Sequence, residues 1–175
     1  MKRFFFTLAA LAVCLAAGAQ KRIPLLDKVP DHRVTCSYTY SVSKAGGPFS
    51  EVTGGMLEVE DNAFRLDALG LKVISDGALR WTLDEEAREA VVEAVKKDDL
   101  VNNPALLIGH YTEYGDQIKV NSSGKDFLDV TLVLDDTTSA RFLLKDIVFG
   151  EKQGKSGFSM DEKSLPKDFL VTDLR

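Results

Sequence analysis

The chain has 175 residues and a formal net charge of −5, with 27 acidic and 22 basic side chains. This length suits one domain, which can bury enough apolar surface to fold without disulfides. The negative charge argues against nucleic acid or an anionic membrane surface as a partner.

The first residues have the pattern of a cleavable export signal. Lys2 and Arg3 precede an apolar run over residues 4–15, which is too short to cross a hydrocarbon core that needs about 20 residues. A small-residue cleavage site of the A-x-A type follows at 17–19. We therefore expect residues 1–19 to be removed, which changes the net charge from −5 to −7.

The chain has two cysteines, one in the segment expected to be the export signal and one in the expected mature domain. Cys14 could instead be the lipidated residue of a lipoprotein signal, although Val13 is larger than the residue usual before such a cysteine. We favour the cleavable signal, with the mature domain over residues 20–175. Cys36 lies in a strand pattern and is expected to be a small buried residue.

Residues 34 to 83 predict an antiparallel meander of short strands. Period-2 alternation over 34–43 places large side chains on one face and hydroxyls on the other. A second strand runs over 51–60, with a bulge or bend expected at Gly54-Gly55. Turns at 61–62, 69–70 and 76–77 separate further strands near 64–66, 72–74 and 79–83.

Residues 84–97 fit two patterns. Their alanines and valines fit a helical stripe, whereas 89–95 could also be a strand that returns beside Trp81. After residue 110 the strand pattern resumes over 117–121, 127–134 and 139–149. The segments 158–166 and 169–175 indicate a last pair of edge segments.

Residues 103–109 predict a short helix with almost no polar face. Asn103 is its expected N-cap, Pro104 takes the first helical position and Gly109 ends it. A helix that is apolar all round is normally buried, and one this short is unstable alone in water. We expect its apolar side chains to lie against, or in, a hydrophobic surface.

The sequence lacks the residue sets typical of enzymes and metal sites. His32 and His110 stand at unrelated places, and no Cys or His cluster has metal-ligand spacing. Nucleophile-elbow, phosphate-loop and dinucleotide motifs are absent. The acidic groups at 84–86, 98–99 and 135–136 fit solvated turns better than a catalytic or calcium site. We therefore predict no enzymatic activity, no cofactor and no metal.

Five pieces of the chain occur in an order found in one known family. The most specific is the block S-D-G-x-x-x-W at 75–81. The others are the strand over 35–40, the run over 55–66, the segment 103–108 and the ending over 158–175. On these pieces, the chain resembles the LolA-like periplasmic carriers of outer-membrane lipoproteins.

The resemblance implies a mainly β fold with short helices, in which a curved, incomplete antiparallel β-barrel is closed by a helical lid. It also implies a strand over 89–95, and we expect a strand there. Two departures from the family are visible. Pro24 and Pro30 leave little room for its long first helix, and the segment 146–158 is short.

The implied function is to bind lipoprotein acyl chains in an apolar cavity and ferry them through the periplasm from the inner to the outer membrane. The implied partners are acylated lipoproteins, an inner-membrane Lol ABC transporter and an outer-membrane acceptor, with the carrier itself a monomer. The alternative is a protein of this fold that binds another amphiphile or a hydrophobic partner.

The resemblance also assigns roles to particular residues. Arg65 is expected to tie the lid to the barrel, with Leu66 in place of the family's aromatic residue. The helix over 103–109 is expected to plug the cavity when it is empty. The side chains expected to line the acyl cavity are Tyr38, Tyr40, Leu57, Phe64, Leu66, Trp81, Leu106, Leu107 and Ile108.

Overall fold

The structure is a computed structural model that describes residues 22–96, 102–114 and 117–175. The expected signal peptide, its cleavage site, Cys14 and the acidic pair 98–99 lie outside the described residues.

Strands dominate the described part of the chain, and all of its strands join one sheet. They are β1 (Arg33–Lys44), β2 (Ser50–Glu60), β3 (Ala63–Ala68), β4 (Leu71–Ser75), β5 (Leu79–Asp84), β6 (Glu89–Ala94), β7 (Ile118–Ser123), β8 (Leu128–Val133), β9 (Thr138–Gly150) and β10 (Leu170–Asp173). The mainly β fold expected from the sequence is thus confirmed, as is the strand expected over 89–95.

The sheet is open, with the strand order β10-β6-β5-β4-β3-β2-β1-β9-β8-β7. Strands β1 to β5 form the predicted meander, and β6 extends it by pairing with β5. Strand β9 returns to pair with β1 in antiparallel fashion. One pairing is parallel, between β10 and β6. The sheet is therefore mixed rather than wholly antiparallel.

The helices are few and short. The α-helix α1 (Pro104–Gly109) confirms the helix predicted over 103–109, and 3₁₀ helices occur at Leu26–Asp31, Tyr111–Tyr114, Lys155–Phe158 and Glu162–Ser164. Proline at 30 lies inside the first of these, where no long helix forms. Among the described residues, no helix combines the length and apolar character needed to cross a membrane.

One local prediction was wrong in position, and another is confirmed only in part. The register shift in β2 lies opposite Tyr40 and Ser41, at Val52, and not at Gly54-Gly55. Gly55 has a different role, because a Cβ atom there would lie 1.7 Å from the carbonyl oxygen of Asp67. Asn103 is the N-cap residue of α1, as predicted, but its side chain makes no capping hydrogen bond.

The segment that follows β9 also departs from expectation. Residues 169–175 supply an edge strand, β10, whereas 158–166 forms no strand and contains a 3₁₀ turn at Glu162–Ser164. The Asp161 carboxylate accepts a hydrogen bond from the Lys163 amide, which favours a turn over extended backbone. We call residues 155–175 the tail segment.

The sheet buries both of its faces, each in a different part. On the helix-side face, β1, β2, β3, β8 and β9 pack against α1 and the 3₁₀ helix Leu26–Asp31. Cys36 lies in this cluster, as expected, and burial raises the pKa of its thiol to about 12. On the tail-side face, β5 and β6 form a second cluster. Its members are Trp81, Leu83, Ala90 and Val92, packed against Met160, Leu165, Phe169 and Val171 of the tail segment.

Candidate ligand-binding cavity

A cavity of about 280 Å³ lies between α1 and the helix-side face of the sheet. Its wall includes side chains of β9 and of β1 to β5, which are neighbours in the sheet. Six neighbouring strands and one short helix therefore contribute to the same cavity.

The cavity wall is largely apolar. Tyr40 on β1 stacks beside Phe142 on β9, with 5.0 Å between ring centroids, because these residues face each other in the β1–β9 register. The remaining apolar side chains of the lining come from β2, β3, β4, β9 and α1. They are Val52, Leu57, Leu66, Ala68, Val73, Leu144, Pro104, Leu107 and Ile108.

Helix α1 presents one side to the cavity. Pro104, Leu107 and Ile108 line it, which is the spacing of residues that share a helix face. Leu107 and Ile108 are almost fully buried. Leu106 does not line the cavity; it packs, partly buried, against the surrounding core.

Four of the described residues that line the cavity carry hydroxyl groups: Tyr38, Tyr40, Thr53 and Thr82. Tyr38 Oη and Thr53 Oγ1 are buried, and neither finds a hydrogen-bond partner among the described residues. Thr53 lies close enough to lower the pKa of Tyr38 somewhat, but the two groups do not reach hydrogen-bonding geometry. Burial dominates and raises the pKa of Tyr38, with a smaller contribution from the Asp67 carboxylate. The phenol is therefore protonated at neutral pH.

Arg80 joins the cavity wall to the segment that leads into α1. Its Nη1 donates a hydrogen bond to the carbonyl oxygen of Asn102 at 3.0 Å, and its Nη2 donates to Glu93 Oε1 at 2.9 Å. Glu93 faces Arg80 directly across β5 and β6. Because Arg80 is fixed by this carboxylate, it can hold the backbone before α1 in place.

The other end of α1 has a second polar attachment. His110 follows α1, and its ring lies 2.7 Å from Asn62 Oδ1 through Nε2 and 2.9 Å from Glu113 Oε1 through Nδ1. Asn62 belongs to the turn between β2 and β3. The helix is thus attached at both ends, by Arg80 before it and by His110 after it.

The placement predicted for Arg65 was wrong. Its neighbour Leu66 faces the cavity, so the alternation of β3 turns Arg65 to the opposite face of the sheet. There it donates a hydrogen bond to the Gly157 carbonyl oxygen and lies 4.0 Å from the Glu58 carboxylate. Arg65 therefore ties down the tail segment, and Arg80 makes the kind of contact that was expected of Arg65.

The prediction for Trp81 fails for the same physical reason. Arg80 and Thr82 face the cavity, so Trp81 between them points to the tail-side cluster. Phe64 is also absent from the lining, because it is fully buried in the core of the helix-side face. The predicted residues that the structure brings together around the cavity are Tyr38, Tyr40, Leu57, Leu66, Leu107 and Ile108.

Sequence reasoning missed several residues of the wall. Val73 and Thr82 could have been found by following the register from Leu66 across β4 and β5. Phe142 and Leu144 depend on the pairing of β9 with β1, a long-range contact that no local pattern reveals. Arg80 gives no signal in the sequence, because alternation in β5 predicts a buried face for Trp81 but not which of the two buried faces it is.

No protein-family model matches the chain, and no curated protein matches it in sequence. Within the described ranges, the structure assembles no group of three or more His, Cys, Asp or Glu side chains suited to hold a metal ion.

Proposed function

We propose that this chain is a LolA-like carrier that binds acyl chains of lipoproteins in the cavity beneath α1 and ferries them through the periplasm. One observation carries the proposal: an apolar cavity is covered by a short helix whose own apolar side chains fill part of it. The curved β fold with a helical lid that the sequence suggested is part of this proposal.

The size of the cavity limits the length of chain that fits beneath α1 in this structure. If a methylene group takes about the 30 Å³ that a water takes in the liquid, 280 Å³ corresponds to roughly nine methylenes. Burial of nine methylenes contributes about 7 kcal/mol, at about 0.8 kcal/mol each. A lipoprotein with several acyl chains needs more room, so loading requires α1 to move.

Movement of α1 would also make release possible. When Leu107 and Ile108 leave the cavity, their own burial is lost, and this offsets part of the free energy gained from the acyl chains. The polar attachments of α1 lie at its ends, at Arg80 and at His110. The helix can therefore swing away as a unit once one of them opens.

A substitution that fills the cavity tests the proposal. Ala68 lines the cavity, whereas Ala78 lies exposed in the turn before β5. We expect Ala68→Phe to abolish the transfer of an acylated lipoprotein from inner-membrane vesicles, carrying the Lol ABC transporter, into the soluble fraction. Ala78→Phe is the matched surface control and should transfer cargo normally. Equal transfer by both variants, with Ala68→Phe folded, would overturn the proposal.

A second candidate is a protein of the same fold that carries another amphiphile. The small volume of the cavity favours it, because one chain segment fits without movement of α1. Mass spectrometry of lipids extracted from the purified protein distinguishes the two. A single-chain amphiphile bound in stoichiometric amount, together with no loading by the transporter, would support this candidate.

A further inference from the structure

The two buried hydroxyls of the cavity need an explanation. Tyr38 is only 7% exposed, and its Oη lacks a hydrogen bond among the described residues, as does Thr53 Oγ1. A buried polar group without a partner is destabilising by about 1–3 kcal/mol, and phenylalanine and valine would fill the same space without that loss. Two such groups in one cavity indicate that something else completes their hydrogen bonds.

The hydroxyls lie beside the place where the cavity meets the surface. The irregularity of β2 inserts Val52 between Glu51 and Thr53, which pair with Ser41 and Tyr40. Val52 and Thr53 consequently both line the cavity, although they are adjacent in the chain. Val52 is 48% exposed, so its neighbour Thr53 lies near the end of the apolar cavity that meets the surface. This is where the polar end of an inserted chain would come to rest.

The charges around the hydroxyls favour an uncharged ligand. Among the described residues of the lining, Arg80 carries the one charged side chain, and its guanidinium already pairs with Glu93 and the Asn102 carbonyl oxygen. The Asp67 carboxylate acts on Tyr38 and would repel an anion. A free carboxylate would therefore lack a cation to balance it.

We propose that Tyr38 and Thr53 donate hydrogen bonds to the carbonyl oxygen of an uncharged fatty acyl ester whose hydrocarbon chain enters the cavity. This inference rests on the proposed function, since it assumes an apolar chain in the cavity. The inference adds to the proposed function the group of the ligand that the protein recognises, which is the ester carbonyl. A phenol is a better donor than acceptor, so an ester carbonyl satisfies it better than a ligand that only donates.

Three probes of similar length test the proposal: methyl decanoate, decanoate and decane. Each is titrated into the protein to displace an apolar fluorescent dye, for the wild type and for the variants Tyr38→Phe, Thr53→Val and their combination. We expect the wild type to bind methyl decanoate about tenfold more tightly than decane, since one buried hydrogen bond is worth about that factor. Decanoate should bind more weakly than the ester.

In the double variant, the affinity for methyl decanoate should fall to that for decane, while the affinity for decane stays unchanged or rises. Thr39→Val is the matched control, because Thr39 lies between Tyr38 and Tyr40 on β1 and is not part of the cavity lining; it should keep the preference for the ester. Thermal unfolding shows that each variant is folded under the conditions of the titration.

The results separate failure of this inference from failure of the proposed function. If all three probes bind but the wild type does not prefer the ester, or if the double variant keeps the preference, the role of the hydroxyls is wrong and the carrier function stands. Tighter binding of decanoate than of the ester would overturn the choice of an uncharged ligand. If no probe displaces the dye, the cavity does not bind apolar chains, and both proposals fail.

Discussion

The two buried faces of the sheet differ in how completely they are packed. On the tail-side face, Trp81 and its neighbours are covered by side chains of the tail segment. On the helix-side face, α1 covers the sheet but leaves a cavity with two unpaired hydroxyls. Well-packed interiors leave few voids larger than a water molecule, and under the proposed function the incomplete packing beneath α1 is the space that an acyl chain takes. Substitutions on the two faces should therefore have different consequences.

The largest effect is expected on the tail-side face. Trp81→Ala removes the largest side chain of that cluster and should lower the free energy of unfolding by about 3–5 kcal/mol. Because Trp81 does not touch the cavity, the affinity for an apolar dye should be unchanged at a temperature where the variant is folded. Chemical denaturation and dye titration measure the two quantities. A loss of dye affinity in the folded variant would show that the faces are not independent.

A smaller loss of stability is expected on the helix-side face, together with a change in binding. Leu107→Ala should lower the free energy of unfolding by about 2 kcal/mol, at the low end for a buried leucine, because its side chain already borders empty space. Uptake of the dye should increase, since the plug has shrunk.

Leu83→Ala is the matched control on the tail-side face, where Leu83 is also almost fully buried. It should lose at least as much stability without any gain in dye uptake. Equal dye uptake by the two variants would mean that Leu107 only fills a static core. Helix α1 would then not act as a movable plug.

The two arginines allow a sharper comparison. Arg80→Leu removes the hydrogen bond to the Asn102 carbonyl and leaves Glu93 without its cation, which should lower stability by about 2 kcal/mol. It should also speed dye entry, because the N-terminal end of α1 is released. Arg65→Leu removes contacts to the tail segment. Because these contacts are more exposed, their loss should lower the free energy of unfolding by less than about 1 kcal/mol. Stopped-flow dye binding measures the difference; faster entry in Arg65→Leu alone would restore Arg65 as the residue that holds the lid.

The smallest effect concerns the tail-side face of β8 and β9. Arg141 donates hydrogen bonds to Asp129 at 2.9 and 2.6 Å, which lowers the pKa of Asp129 below its usual 3.8. Because the pKa is lower in the folded state, the pair stabilises the protein above the unfolded pKa, and this contribution is lost as the pH falls through the folded pKa.

We expect Asp129→Asn to lower the free energy of unfolding by less than about 1 kcal/mol at pH 7, since Arg141 is partly exposed. The difference from wild type should shrink from about pH 4 downward. A difference that is constant between pH 7 and pH 3 would argue that the carboxylate is not stabilised by Arg141.

Much of the fold could be predicted from local patterns. The alternation of β1 placed Tyr38 and Tyr40 on one face, and the turn residues separated the strands of the meander. The helix over 103–109 was recognisable because its apolar residues stand between Asn103 and Gly109. These features depend on neighbouring residues, which is why the sequence revealed them.

Local patterns could not predict which face of each strand is buried. Strands β1 to β3 bury a core on the helix-side face, whereas β5 and β6 bury a core on the tail-side face. Trp81 and Thr82 alternate in β5, but which of them faces the cavity depends on what covers the opposite face. That cover includes Phe169 and Val171, more than 80 residues further along the chain. The orientations of Arg80 and Trp81 depend on this cover, and Arg65 in turn contacts Gly157 of the same tail segment.

The position of Trp81 has a practical consequence for spectroscopy. It is the sole tryptophan of the chain, and it lies against the tail segment on the face away from the cavity. Its fluorescence emission should therefore report whether the tail segment is docked. The emission should change little when a chain enters beneath α1. Since β10 pairs with β6 across about 80 residues of sequence, the emission of Trp81 should reach its native value only after this distant strand has joined the sheet.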